Sequence, residues 1–170
     1  MIFNLFRKSV ATPAVDEAYR SIVAQSRQPV FYADWGVADT VTGRFDMVSL
    51  HMALMLRRLN AESAARDFSQ ALVDLFFLDM DRSIRELGVT DIGVPKKIKT
   101  MGNVFYGLAG TLGEALDSGL PANVEAVLVR NVYGAVHPGA ASLAAYLLAD
   151  VDRLASVPLT ELTHAAGAAA

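Results

Sequence analysis

The densest hydrophobic stretch of the chain, GRFDMVSLHMALMLRRL (Gly43–Leu59), does not keep to one side of a helix. Eight of the ten residues from Met47 to Leu56 are apolar. Wound at about 100° per residue, they point in nearly every direction, as in a membrane span or a helix covered all round. The weakest apolar flank is Ser49, Ala53 and Arg57. That flank predicts a central helix with one edge at the surface, and with the end near Arg44 and Met47 within reach of a partner.

The flanking patterns predict what covers it. Thr12-Pro13 sets a cap and a first-turn proline, opening a helix to about Gln28 that Pro29 stops. VFYADWGVADTVTG reads as an ordered loop, rich in aromatics and turn formers. Further helices are expected from about Thr42 to Asn60, and from Ser63 to Leu87 with Gly88 at the C-terminal cap. Three more are expected over Pro95–Asp117, Pro121–Tyr133 and Gly139–Ala155, the last striped by Leu143, Leu147, Val151 and Leu154. Gly134 to Pro138 makes a turn, and Ser156-Val-Pro158 opens a last short one. No segment keeps strand alternation and no repeat is visible. The expectation is an all-α, single-domain bundle of about six helices over residues 12–157, with an N-terminal extension (1–11) and a mobile alanine-rich tail (158–170).

Composition narrows the meaning of so much apolar sequence. With 170 residues, 53% hydrophobic and 19% charged, the chain suits one domain with a sizeable core. No run reaches the roughly 18 apolar residues of a spanning helix; Arg57-Arg58 end the central segment, and Ala140–Ala149 is only ten residues long. The opening MIFNLFRKS is apolar first and basic after, the reverse of a secretory signal. It reads as a frayed start or as a weak interfacial anchor of Phe3, Leu5 and Phe6 with Arg7-Lys8. There is no cysteine, which suits a reducing compartment. The net charge of −3 argues against a general grip on DNA. A cytoplasmic protein, at most peripheral to the membrane, is expected.

Little local chemistry suggests an enzyme. His51, His137 and His164 lie far apart, and no HExxH, glycine-rich phosphate loop or nucleophile elbow occurs. No catalytic residue, metal or cofactor is expected. His51 falls on the stripe of Met47, Leu54 and Met55, as a satisfied core histidine or as a switchable contact to a partner or cofactor. Asp79 points within about 40° of Phe68, Leu72 and Leu75 on a helical wheel, so its carboxylate needs a partner. Arg82, Arg44 or His51 are the candidates for an internal lock, with a binding contact as the alternative. Lys96, Lys97 and Lys99 fall in the first turn of a helix, where the macrodipole disfavours each by roughly a few tenths of a kcal/mol. They read as a solvated end or as a dock for an acidic surface such as RNA phosphate. The same helix holds Gly102, Gly107, Gly110 and Gly113, costing roughly 4 kcal/mol in propensity. Opposite its core stripe of Ile98, Met101, Phe105, Leu108, Leu112 and Leu116, Gly102, Gly110 and Gly113 gather around Tyr106. Either another helix or a partner fills that smooth face.

The strings YADWGVADTVTGRFDMVSLHMALMLRRL and LVDLFFLDMDRSIRELGVTDIGVPKKIKTMGNVFYG resemble the ubiquinol–cytochrome c chaperone family, over roughly residues 30 to 117. The resemblance implies a helical, non-enzymatic factor for assembly of the cytochrome bc1 complex. Mitochondrial members bind newly made cytochrome b, work with a small partner protein and dock near the ribosomal tunnel exit. This chain looks like a bacterial-type member lacking their longer N-terminal region. GLAGTLGEAL departs from the pattern, which would place a basic residue near Leu108 and an aromatic near Leu112. The candidate client contacts are Phe31, Trp35, Asp39, Arg44, Met47, His51, Met55, Asp79, Lys96, Lys97, Lys99 and Tyr106, with the methionines giving an adaptable surface. An alternative is a binding protein for a small lipophilic ligand such as haem or a quinone, with His51 and Met47 or Met55 as the polar handle.

Overall fold

The computed structural model describes residues 12–163, and these form helices joined by short connections. In chain order they are α1 (Pro13–Ser26), α2 (Pro29–Ala33), α3 (Val41–Asn60), α4 (Arg66–Glu86), α5 (Val94–Asp117), α6 (Pro121–Leu128), α7 (Gly139–Ser156) and α8 (Leu159–Thr163). No strand occurs among the described residues. The all-α reading holds, with six main helices and two five-residue ones.

Local signals explain most boundaries. The Thr12 hydroxyl accepts from the Val15 amide at α1, and the Thr40 hydroxyl accepts from the Gly43 amide at α3, 3.1 Å away. Gly88, at φ +81°, turns the chain out of α4. Two expectations change. Pro29 stops α1 but also starts α2, so Phe31 sits on a helical turn rather than in a loop; proline suits the first position of a helix because its missing N–H would be unpaired there anyway. Residues 159–163, placed in the mobile tail, fold as α8 and bury Leu162, which gives the apolar face of LTELT a place to pack. His164 and the Phe3–Lys8 stretch lie outside the described residues.

α3 is the axis of the molecule. α1, α4, α5 and α7 all pack against it, and Met47, Leu50, Met52, Leu54 and Leu59 are almost fully buried. The helix that is apolar all round is therefore covered all round. Its expected surface edge is covered too: Ser49 and Ala53 are buried, and only Arg57 emerges, 2.5 Å from Asp117 at the end of α5. Small side chains at 49 and 53 are compatible with a neighbouring helix lying over them, so weak hydrophobicity there does not mean exposure.

After α6 the backbone continues as one π-type turn, Val129–Tyr133, before Gly134 at φ +72°. This places Tyr133 to donate to the Trp35 carbonyl at 2.9 Å and to stack on His137 at 4.6 Å between ring centres. Gly139 meets the same carbonyl so closely that a Cβ would lie 1.9 Å from it. The segment after α2 is thus clamped onto the start of α7.

Candidate functional site

The twelve candidate residues do not form one patch; the fold sorts them into three places. The first is an aromatic nest where α2, α3 and α7 meet. Phe31, fully buried, touches the rings of Trp35, His51 and Tyr146 at 5.5, 5.7 and 5.0 Å. His51 is buried with both nitrogens engaged, Nδ1 on the Met47 carbonyl at 2.8 Å and Nε2 on the Tyr146 hydroxyl at 2.9 Å. A carbonyl only accepts, so Nδ1 carries the proton and Nε2 accepts from Tyr146. Burial holds the His51 pKa down, in keeping with this neutral ring. The Tyr146 hydroxyl in turn accepts from Gln25 of α1 at 2.8 Å, and the Gln25 amide also reaches buried Asp150, which Arg153 neutralises at 2.7 Å.

This network makes His51 a structural link between α1, α3 and α7. Neither nitrogen keeps a free lone pair for a haem iron. Met47, Phe31 and His51 are buried within the chain, beneath the surface residues around them. Half-buried Met55 packs against the core. On the rim, exposed Asp39 and Arg44 pair at 2.7 Å, and Arg44 holds the Asp39 carboxyl below its usual range. With Arg27, Pro29, Tyr32 and Ala33 they line an open groove of about 340 Å³.

The second place is the contact of α1 with α4. Asp79 is locked inside the chain as expected, but by none of the three candidate partners: the Tyr19 hydroxyl donates to it at 2.8 Å. Burial first, and then this bond to a carboxylate, push the Tyr19 phenol strongly up. α1 lies against α4 along this side, so the nearest donor comes from a helix that pattern-reading had not paired with it.

The third place is the α4–α5 face. Buried Phe76 and Phe105 pack ring to ring at 5.0 Å, and outside them Phe77 and Tyr106 stack at 6.1 Å. Gly102 lies under the Phe77 ring, where a Cβ would come within 3.1 Å. Gly107 and Gly110 meet nothing, since a Cβ on either would find no atom within 4 Å. Along the smooth face of α5, Gly102 is therefore covered by α4, a Cβ on Gly113 would lie 3.9 Å from the Arg57 guanidinium of α3, and Gly110, with Gly107 beside it, is open. Tyr106 is 54% exposed on it, and Val104 of α5 and Leu78 of α4 are exposed as well. Burial, and then the charge of Asp74, raise the Tyr106 pKa. Lys96, Lys97 and Lys99 stand exposed at the start of the same helix.

Sequence reasoning missed Tyr146, Gln25, Asp150, Tyr19 and Phe77. Tyr146 and Asp150 stand four apart beside the apolar stripe of α7, a spacing that puts two polar groups on one flank and asks for a shared partner. Tyr19 and Phe77 carried no such signal. No group of three or more His, Asp or Glu side chains among the described residues is placed to hold a metal ion.

Comparison with known proteins now adds to this geometry. Residues 33–168 match the family described as ubiquinol-cytochrome C chaperone. The crystal structure of the Cbp3 homolog from Brucella abortus superposes with a TM-score of 0.82 at 40% identity, covering 88% of this chain and 84% of that one. No curated protein matches significantly. The match takes in α3 to α8 whole, together with both aromatic groups except Phe31 itself. The chain belongs to the ubiquinol–cytochrome c chaperone family.

Proposed function

We propose that this protein is a non-catalytic assembly chaperone of the cytochrome bc1 complex, which holds newly made cytochrome b before its final partners do. The observation that carries the reading is the family match over residues 33–168, joined to the whole-fold similarity at 40% identity. The α4–α5 face supports a specific holding site. Open backbone at Gly107 and Gly110 admits a close-packed apolar helix, and Tyr106 offers a rigid ring with a polar tip beside it. A client that must later leave needs moderate affinity. A shallow, half-open face with few fixed polar contacts meets that need better than an enclosed pocket. The Asp39–Arg44 rim and Trp35 are the second contact area of the proposal.

No described helix is long and apolar enough to cross a membrane. In this proposal, contact with a membrane client is made from the cytoplasmic face. The test is genetic and biochemical together. Deleting the gene should lower cytochrome b and assembled bc1 complex, and the wild-type chain should restore both. A Gly107→Leu/Gly110→Leu variant should fold but fail to restore them or to retain cytochrome b in purification. Normal bc1 levels after deletion would sink the proposal.

A further inference from the structure

The α4–α5 connection carries a feature that client holding does not use. Ile92 is 92% exposed at its tip and Leu87 59% exposed at its start. Slack in the chain does not explain this. Gly88 donates to the Arg85 carbonyl at 2.9 Å, Gly93 donates to the Thr90 carbonyl at 2.8 Å, and the Arg85 guanidinium binds both Asp81 and Asp91. Val89, in the same loop, turns inward and packs on the core. The loop is a short, cross-tied structure that packs one aliphatic side chain partly buried on the core and holds another out in water.

Around this tip the charge is reversed relative to the whole molecule. Residues 85–99 contain four basic and two acidic side chains, a net of +2, whereas the full chain carries −3. Asp91 is tied to Arg85, while Lys96, Lys97 and Lys99 have no ion-pair partner among the described residues. Aliphatic side chains held outward and followed in the chain by free lysines are the composition of an interfacial membrane contact, in which the apolar group enters the headgroup region and the cations meet anionic lipid. An RNA surface would use the lysines but gives an exposed isoleucine nothing to do, since RNA contacts favour flat aromatic or guanidinium groups.

We propose that the α4–α5 tip docks this protein on an anionic lipid surface through Ile92, Leu87 and Lys96, Lys97 and Lys99. The inference does not depend on the identity of the client. It adds an orientation: α4 and α5 stand with their connecting loop toward the bilayer, and the face around Tyr106 rises from it.

The chain lacks cysteine, so one introduced thiol is unique. The experiment places an environment-sensitive nitrobenzoxadiazole label on the full-length Ile92→Cys protein. A matched label goes on Val136→Cys, which is 91% exposed in a turn without lysines. With phosphatidylglycerol-containing vesicles, the label at 92 should shift to the blue and brighten several-fold. It should do neither with phosphatidylcholine alone, and the label at 136 should stay unchanged. Lys96→Glu/Lys97→Glu/Lys99→Glu in the labelled protein should abolish the response, as should high salt, which shortens the screening length. A silent label at 92 would overturn the proposal. So would vesicle flotation lost only in a Phe3→Asp/Phe6→Asp variant. RNA retention that needs the lysines while the label stays silent would overturn it in favour of RNA.

Discussion

Asp46 sits on α3 at 8% exposure, and burial pushes its carboxyl up to about 6. A folded-state pKa above the ordinary 3.8 means that the fold favours the protonated acid. Its effect on stability is therefore best below about pH 4 and worsens as pH rises to about 6, reaching roughly 2 to 3 kcal/mol. Asp46→Asn should flatten that slope and raise stability at neutral pH, as denaturant melts across pH would show. His51 acts in the opposite sense. Burial lowers its pKa, so the neutral ring stabilises the fold above its ordinary value near 6.5, and that contribution is lost as pH falls. In the Asp46→Asn background, acidification should therefore destabilise more steeply than in the wild type. Tyr146→Phe keeps the ring contacts but leaves the His51 Nε2 without its donor and the Gln25 amide with only the longer bond to Asp150. It should cost about 1 to 2 kcal/mol, checked by the same melts. Of these groups only His51 was legible in the sequence, as a histidine on an apolar stripe. Its side-chain partner Tyr146 stands 95 residues further on, and that hydroxyl takes its own donor, Gln25, from α1, which no local pattern reveals.

At the scale of elements, α5 carries the tension between stability and binding. Gly107 and Gly110 cost the helix roughly 1 kcal/mol each against alanine, and an added Cβ at either meets open space. Gly107→Ala/Gly110→Ala should raise the melting midpoint while weakening retention of cytochrome b. If both quantities rose together, the glycines would have no part in holding a client. Gly102 differs, because Phe77 lies over it; Gly102→Leu should dislodge that ring and lower stability. The periodicity of α5 showed the greasy and the smooth face, because both follow from helical spacing alone. It could not show which neighbour covers each part, since that depends on how α4 lies across it. The same limit explains Ser49 and Ala53, whose small side chains looked like a surface edge and are buried instead. α2 was missed because five residues are too few to express a period.

At the scale of the whole molecule, α3 is a buried axis, the aromatic nest ties α1, α3 and α7 around it, and α4 and α5 present the half-open face. The all-α architecture was legible because caps, prolines and glycines punctuate the chain at nearly every helix end. The division of the candidate residues into three places was not, because it is set by long-range packing. The central claim is that the face around Tyr106 touches cytochrome b in the cell. Photocrosslinking tests it most directly, with a benzophenone amino acid at Tyr106 and, as an internal control, at fully buried Phe105. The account predicts a cytochrome b adduct from position 106 and only internal products from 105. Internal products alone from 106, in cells that contain newly made cytochrome b, would contradict it.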